Sequence, residues 1–113
     1  MRGTLVAIAL TATAFAAFAA PAAPPTAAAF NAQCKSDAAY CRTAIRARAD
    51  ALINQSKICV PRNVSMDQVA NQVADTLDDV LDETGGEFDK ADPIALIDQI
   101  IEFRWACKDR PTS

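Results

Sequence analysis

Histidine is absent from this 113-residue chain, glycine occurs only three times, and tyrosine and tryptophan once each. Without histidine, a serine or cysteine nucleophile lacks its usual base, and zinc loses its common nitrogen ligand. The cysteines include no C-x-x-C pair, and their positions at 34, 41, 59 and 107 fit no zinc pattern. Gly85-Gly86 has no strand before it, so it reads as a helix stop rather than a phosphate cradle. No segment alternates with period two for long enough to form a strand. These absences lead to an expectation of no catalytic residues, no metal and no cofactor.

What is present begins with an export signal. Met1 and Arg2 precede an apolar run over Thr4–Phe18, and Ala17-Phe18-Ala19 fits an A-x-A cleavage pattern. The run is short and proline-rich sequence follows it, which favours a cleaved signal over stable membrane insertion; an uncleaved anchor is the alternative. Cleavage after Ala19, Ala22 or Ala29 fits equally. The tract "PAAPPTAAAFNA" at 21–32 has no amphipathic period and reads as flexible. The organisation expected is a signal peptide at 1–19, a flexible leader at 20–33, a helical domain at 34–110 and a tail at 111–113.

A domain under a hundred residues buries only roughly 60–65% of its unfolded surface, so its core is marginal and covalent staples are expected. All four cysteines lie after the signal, an even count that favours two disulfides.

Apolar periodicity predicts three helices. One runs from Ser36 or Asp37 to Asn54, with Cys41, Ile45, Ala49, Leu52 and Ile53 on its inner side. A second starts at Ser65, which has Gln68 at capping-box spacing, carries a stripe from Met66 to Leu81 and stops at Gly85-Gly86. A third opens at Asp92-Pro93, a good cap followed by the favoured first-turn proline. Its apolar residues, including Ile94, Ile97, Ile100, Phe103 and Trp105, cover so much of its circumference that it is expected to be the most buried helix. The fold class is all-α, a small disulfide-stapled bundle of three main helices, with a short fourth helix open at 30–35 or 87–91.

Bundle geometry ranks the disulfides. Helix 37–54 rises roughly 20 Å between Cys41 and Asn54, out of reach of one bond, if short loops make the helices antiparallel. Cys59 and Cys107 then share one end of the bundle, and Cys34 and Cys41 the other. Pro61 fixes the corner after Cys59 and prevents the first long helix from continuing through it.

Charge is divided along the chain. Residues 34–62 carry six basic and two acidic side chains, whereas 67–92 carry nine acidic and one basic. Neighbouring helices that neutralise each other are one reading, and an acidic face that docks a basic protein is the other. The carboxylate pairs Asp78-Asp79 and Asp82-Glu83 read as a solvated face, and 78–89 lacks the residue order of a calcium loop. Nucleic acid is not an expected partner of an exported acidic domain.

The order "YC" (40–41), "CVP" (59–61), Val64-Ser65, Gln68, "VADTL" (73–77) and "WAC" (105–107), after an export signal, resembles the Rap/Tai family of periplasmic immunity proteins associated with type VI secretion. The family's glycine-tyrosine-isoleucine-x-glycine run corresponds to Thr43–Ala47, where only Ile45 agrees. Its histidine-proline-glutamate segment is replaced by 82–93. The resemblance implies a periplasmic protein, with a homodimer as a possible state, that occludes the active site of a peptidoglycan amidase toxin. It further implies that a late loop enters the toxin cleft. The matching segment offers Glu83, Glu87, Phe88, Asp89, Lys90 and Asp92; an ordinary solvated turn is the alternative. The competing functions are a small acid-activated periplasmic chaperone of the HdeA type, or an exported protein-binding module with another partner.

Overall fold

The computed structural model describes residues 24–107, which form four α-helices and no strand. In chain order these are α1 (Ala27–Ser36), α2 (Ala38–Asn54), α3 (Met66–Glu83) and α4 (Pro93–Arg104). The expected signal peptide at 1–19 and the tail at 111–113 lie outside the described residues.

Helix α1 is the short fourth helix left open at 30–35, and by starting at Ala27 it corrects the expected flexible leader over 27–33; residues 20–23 lie outside the described residues, and 87–91 forms turns. Thr26 caps it by accepting the Ala29 N–H at 3.1 Å, and Ala27 and Phe30 are fully buried. The alanine run supplies helix propensity. The inward side is only Ala27, Phe30 and half-buried Cys34, too small and alanine-rich to stand out as a period. Phe30 meets Tyr40 of α2 with ring centroids 6.2 Å apart.

Asp37 joins α1 to α2. Its backbone N–H donates to the Gln33 carbonyl to close α1, while its carboxylate accepts the Tyr40 N–H at 3.1 Å to open α2. The Cys34–Cys41 disulfide straddles this bend with Cα atoms 4.7 Å apart. Helix α2 buries Cys41, Ile45, Ala49 and Leu52, but Ile53, expected inside, is exposed. At its end Lys57 N–H reaches back to the Leu52 carbonyl and Ser56 N–H to Ile53, a Schellman pattern with Ser56 at φ +60°.

The corner after α2 is held to the far end of α4. Cys59 N–H donates to the Trp105 carbonyl at 2.8 Å, and Cys59 is bonded to Cys107. Both disulfides have the pairing that antiparallel geometry favours. Ser65 and Gln68 form the complete capping box, with bonds of 3.0 and 2.7 Å. Helix α3 then buries Val69, Ala70, Val73, Leu77 and Leu81.

Helix α4 buries the largest share of its own residues, as expected, but the centre of the packing is formed by α2 and α3. Helix α4 buries Leu96, Ile97 and Ile101, followed by Trp105, but Ile94 is 39% exposed and Phe103 91%. The most extensive helix–helix packing is between α2 and α3. Helix α4 has more apolar residues than one buried stripe can use, and the surplus faces outward.

Opposite charges meet across helices, as the neutralising reading anticipates. Arg48 and Asp98 form a two-pronged pair between α2 and α4, at 2.9 and 2.7 Å. Lys35–Asp78 and Arg46–Asp67 link α1 and α2 to α3. The two disulfides fit an oxidising compartment. No helix among the described residues is long and apolar enough to cross a membrane.

Candidate functional site

The segment from Glu83 to Asp92 is built as a chain of tight turns. Gly85 and Gly86 take φ +62° and +93°, a region that costs glycine little, and reverse the chain after α3. Backbone N–H groups then donate three residues back, from Glu87 to Thr84, Asp89 to Gly86 and Ala91 to Phe88. Asp92 ends the segment by capping α4 through the Ala95 N–H.

This loop is also fastened to α1. Ala27 N–H donates to the Ala91 carbonyl at 2.8 Å and Ala28 N–H to the Asp89 carbonyl at 3.0 Å. A helix start leaves its first N–H groups without intrahelical partners. Here loop carbonyls take two of them and Thr26 takes the next. The backbone of one irregular segment therefore completes a helix far away in sequence.

The sequence candidates divide accordingly. Glu83, Glu87 and Lys90 are exposed and free for contact, and Phe88 is 38% exposed. Asp89 is half-buried, its carboxylate so close to Gly86 that a β-carbon there would lie 3.3 Å from Oδ2. Asp92 is spent on the α4 cap. The loop offers a partner two acids, one cation and an aromatic edge on a fixed backbone.

The acidic face of α3 is partly neutralised. Asp78 accepts from the Asn31 amide at 2.9 Å and pairs with Lys35 at 3.0 Å. The Asn31 hydrogen bond first, and Lys35 second, hold its carboxyl below the ordinary value. Asp75, Asp79, Asp82 and Glu83 form no ion pair with the described residues. A shallow cleft lined in part by the Cys34–Cys41 disulfide lies beside Asp78, its Asn31 and Lys35 already engaged with that carboxylate.

A second surface was not anticipated from sequence. Leu96, Ile100 and Phe103 follow one another at steps of four and three on α4 and, with Val80 of α3, line an apolar groove. Arg104 stands at one end, donating to Gln72 Oε1 at 2.8 Å and lying 5.6 Å from the Trp105 ring centroid. The spacing was legible, but it reads equally as core; Leu96 is itself buried, Ile100 is half-buried, and only the placement of α3 leaves the stripe to emerge fully at Phe103.

All four cysteines are in disulfides, and no group of candidate ligands that could hold a metal ion occurs among the described residues. No family model, curated protein or solved structure matches the chain.

Proposed function

We propose that this chain is a periplasmic binding protein of the immunity type, exported by a cleaved signal peptide, that neutralises a peptidoglycan amidase by occluding its active site. The observation that supports this reading is the 83–92 loop, fastened to α1 through Ala27 and Ala28 and carrying Glu87 and Phe88 outward. A loop ordered before binding loses little conformational freedom on docking, which favours tight occlusion of a cleft. Two disulfides keep the scaffold folded in an oxidising compartment where its partner acts.

The test is co-expression with amidases encoded beside this chain, followed by pull-down and a cell-lysis assay. Protection by the native chain, lost in Glu87→Lys and Phe88→Ala while the circular dichroism spectrum is unchanged, is the expected result. Lysis unaffected by the native chain, with no complex recovered from any neighbouring amidase, would sink the reading.

An acid-activated chaperone is the second reading, because the three ion pairs between helices among the described residues depend on carboxylates. Acid would weaken these links and favour exposure of Val, Leu and Ile surface. Dye binding and client protection that rise steeply between about pH 4 and 2 favour it; a tight single-partner complex at neutral pH favours the immunity reading.

A further inference from the structure

We infer that the groove between α3 and α4 seats one amphipathic helix from a protein partner, with apolar residues on one face and basic residues in its N-terminal half. The floor is Val80, Leu96 and Ile100, and Phe103 forms a wall that is 91% exposed. The α4 stripe from Leu96 to Phe103 rises roughly 10 Å. That length matches two turns of a docked helix, whose anchors would recur at i, i+3 or i+4, and i+7.

Charge selects the occupant and its direction. On α3, Glu83 lies one turn beyond Val80, and Asp79 lies one turn beyond Thr76, which also lines the groove. Neither acid is paired with a described residue, so this end and edge of the groove are negative. At the other end Arg104 is fixed by Gln72 and Trp105 and has no carboxylate partner among the described residues. A helix is positive at its N-terminus and negative at its C-terminus. The fitting orientation therefore puts the occupant's N-terminal half, with its Lys or Arg residues, by Glu83 and Asp79. Its C-terminal carbonyls then face Arg104, so it runs parallel to α4.

A second copy of this chain fits less well. Two-fold association could seat each Phe103 in the other copy's groove, but it would bring Glu102 and Arg104, which flank that phenylalanine, rather than a run of basic residues. A single convex helix fills the groove. The inference goes beyond the amidase reading, since the groove floor and the 87–88 tip share no residue.

Fluorescence anisotropy with two labelled synthetic peptides tests it on the oxidised full-length mature protein. Both carry leucines at the stated spacing; one has lysines in its N-terminal half, the other glutamates at the same positions. The lysine peptide is expected to bind and the glutamate peptide to bind at least about tenfold more weakly, a difference of about 1.4 kcal/mol. Phe103→Asp is expected to abolish binding, and Asp79→Lys to weaken the lysine peptide and strengthen the glutamate one. Glu87→Lys and Phe88→Ala, which test the amidase reading, leave peptide binding unchanged. Equal binding of both peptides, no binding of either, or a native dimer in sedimentation that Phe103→Asp converts to monomer would overturn the inference.

Discussion

Ala28 and Asp89, sixty-one positions apart, are joined through backbone atoms alone, the N–H of the first donating to the carbonyl of the second at 3.0 Å. With Ala27–Ala91 beside it, this bond ties the exposed acidic loop to the first helix.

Proline at position 28 removes that donor while remaining tolerable in the first helical turn. Ala28→Pro is expected to cost about 1 kcal/mol and to raise hydrogen exchange across residues 85–91 more than in α3. Unchanged exchange in the loop would mean that α1 does not hold it.

The disulfides should contribute unequally. They enclose sequence separations of 48 and 7 residues. In the chain-entropy model these are worth about 4 and about 2 kcal/mol respectively. Urea titration of Cys59→Ala with Cys107→Ala is therefore expected to give the lower midpoint, compared with Cys34→Ala and Cys41→Ala. The reverse order would show that the bend at Asp37 matters more than closing the long loop.

The two apolar stripes of α4 are separable by stability. Ile97 is fully buried, and Ile97→Ala is expected to cost about 3 kcal/mol. Phe103→Ala, at a side chain 91% exposed, is expected to stay within about 0.5 kcal/mol. Equal losses in chemical denaturation would contradict the assignment of one stripe to the core and one to the surface.

Asp78 gives a pH prediction. Its folded pKa is depressed, first by the Asn31 hydrogen bond and then by Lys35. A depressed carboxyl contributes stability above its unfolded pKa, and this is lost as pH falls through the folded value. Asn31→Ala is expected to raise the Asp78 pKa toward its ordinary value in an NMR titration and to shrink the stability that Asp78 contributes at neutral pH and loses as pH falls from its unfolded to its folded pKa. A carboxyl shift that titrates identically in both proteins would remove Asn31 as the main cause.

Much of the scaffold was legible because its signals are local. Ser65 with Gln68, Asp92 with Pro93, and Gly85-Gly86 each mark a helix end within a few residues, and the structure uses all three. The cysteine pairing followed from helix length and direction. What escaped was non-local. A short helix at 30–35 was left open, but its start at Ala27 depends on carbonyls of residues 89 and 91, which have no side-chain signature. The outward stripe of α4 has the same residue types as the inward one, so only the position of α3 distinguishes them. Within the candidate loop the Asp92 cap was legible from the proline after it, but residue type alone could not separate half-buried Asp89 from exposed Glu87.

The fastening of α1 to residues 89 and 91 has a practical consequence for handling the protein. The start of α1 lies against the acidic loop, so an affinity tag tethered closely to that end of the helix would crowd the surface proposed to meet a partner. Helix α4 carries the chain roughly 18 Å away from that end before Cys107. A tag or surface-attachment point at the C-terminal side leaves the loop unobstructed, and assays that immobilise the opposite end risk scoring steric shadow as lack of affinity.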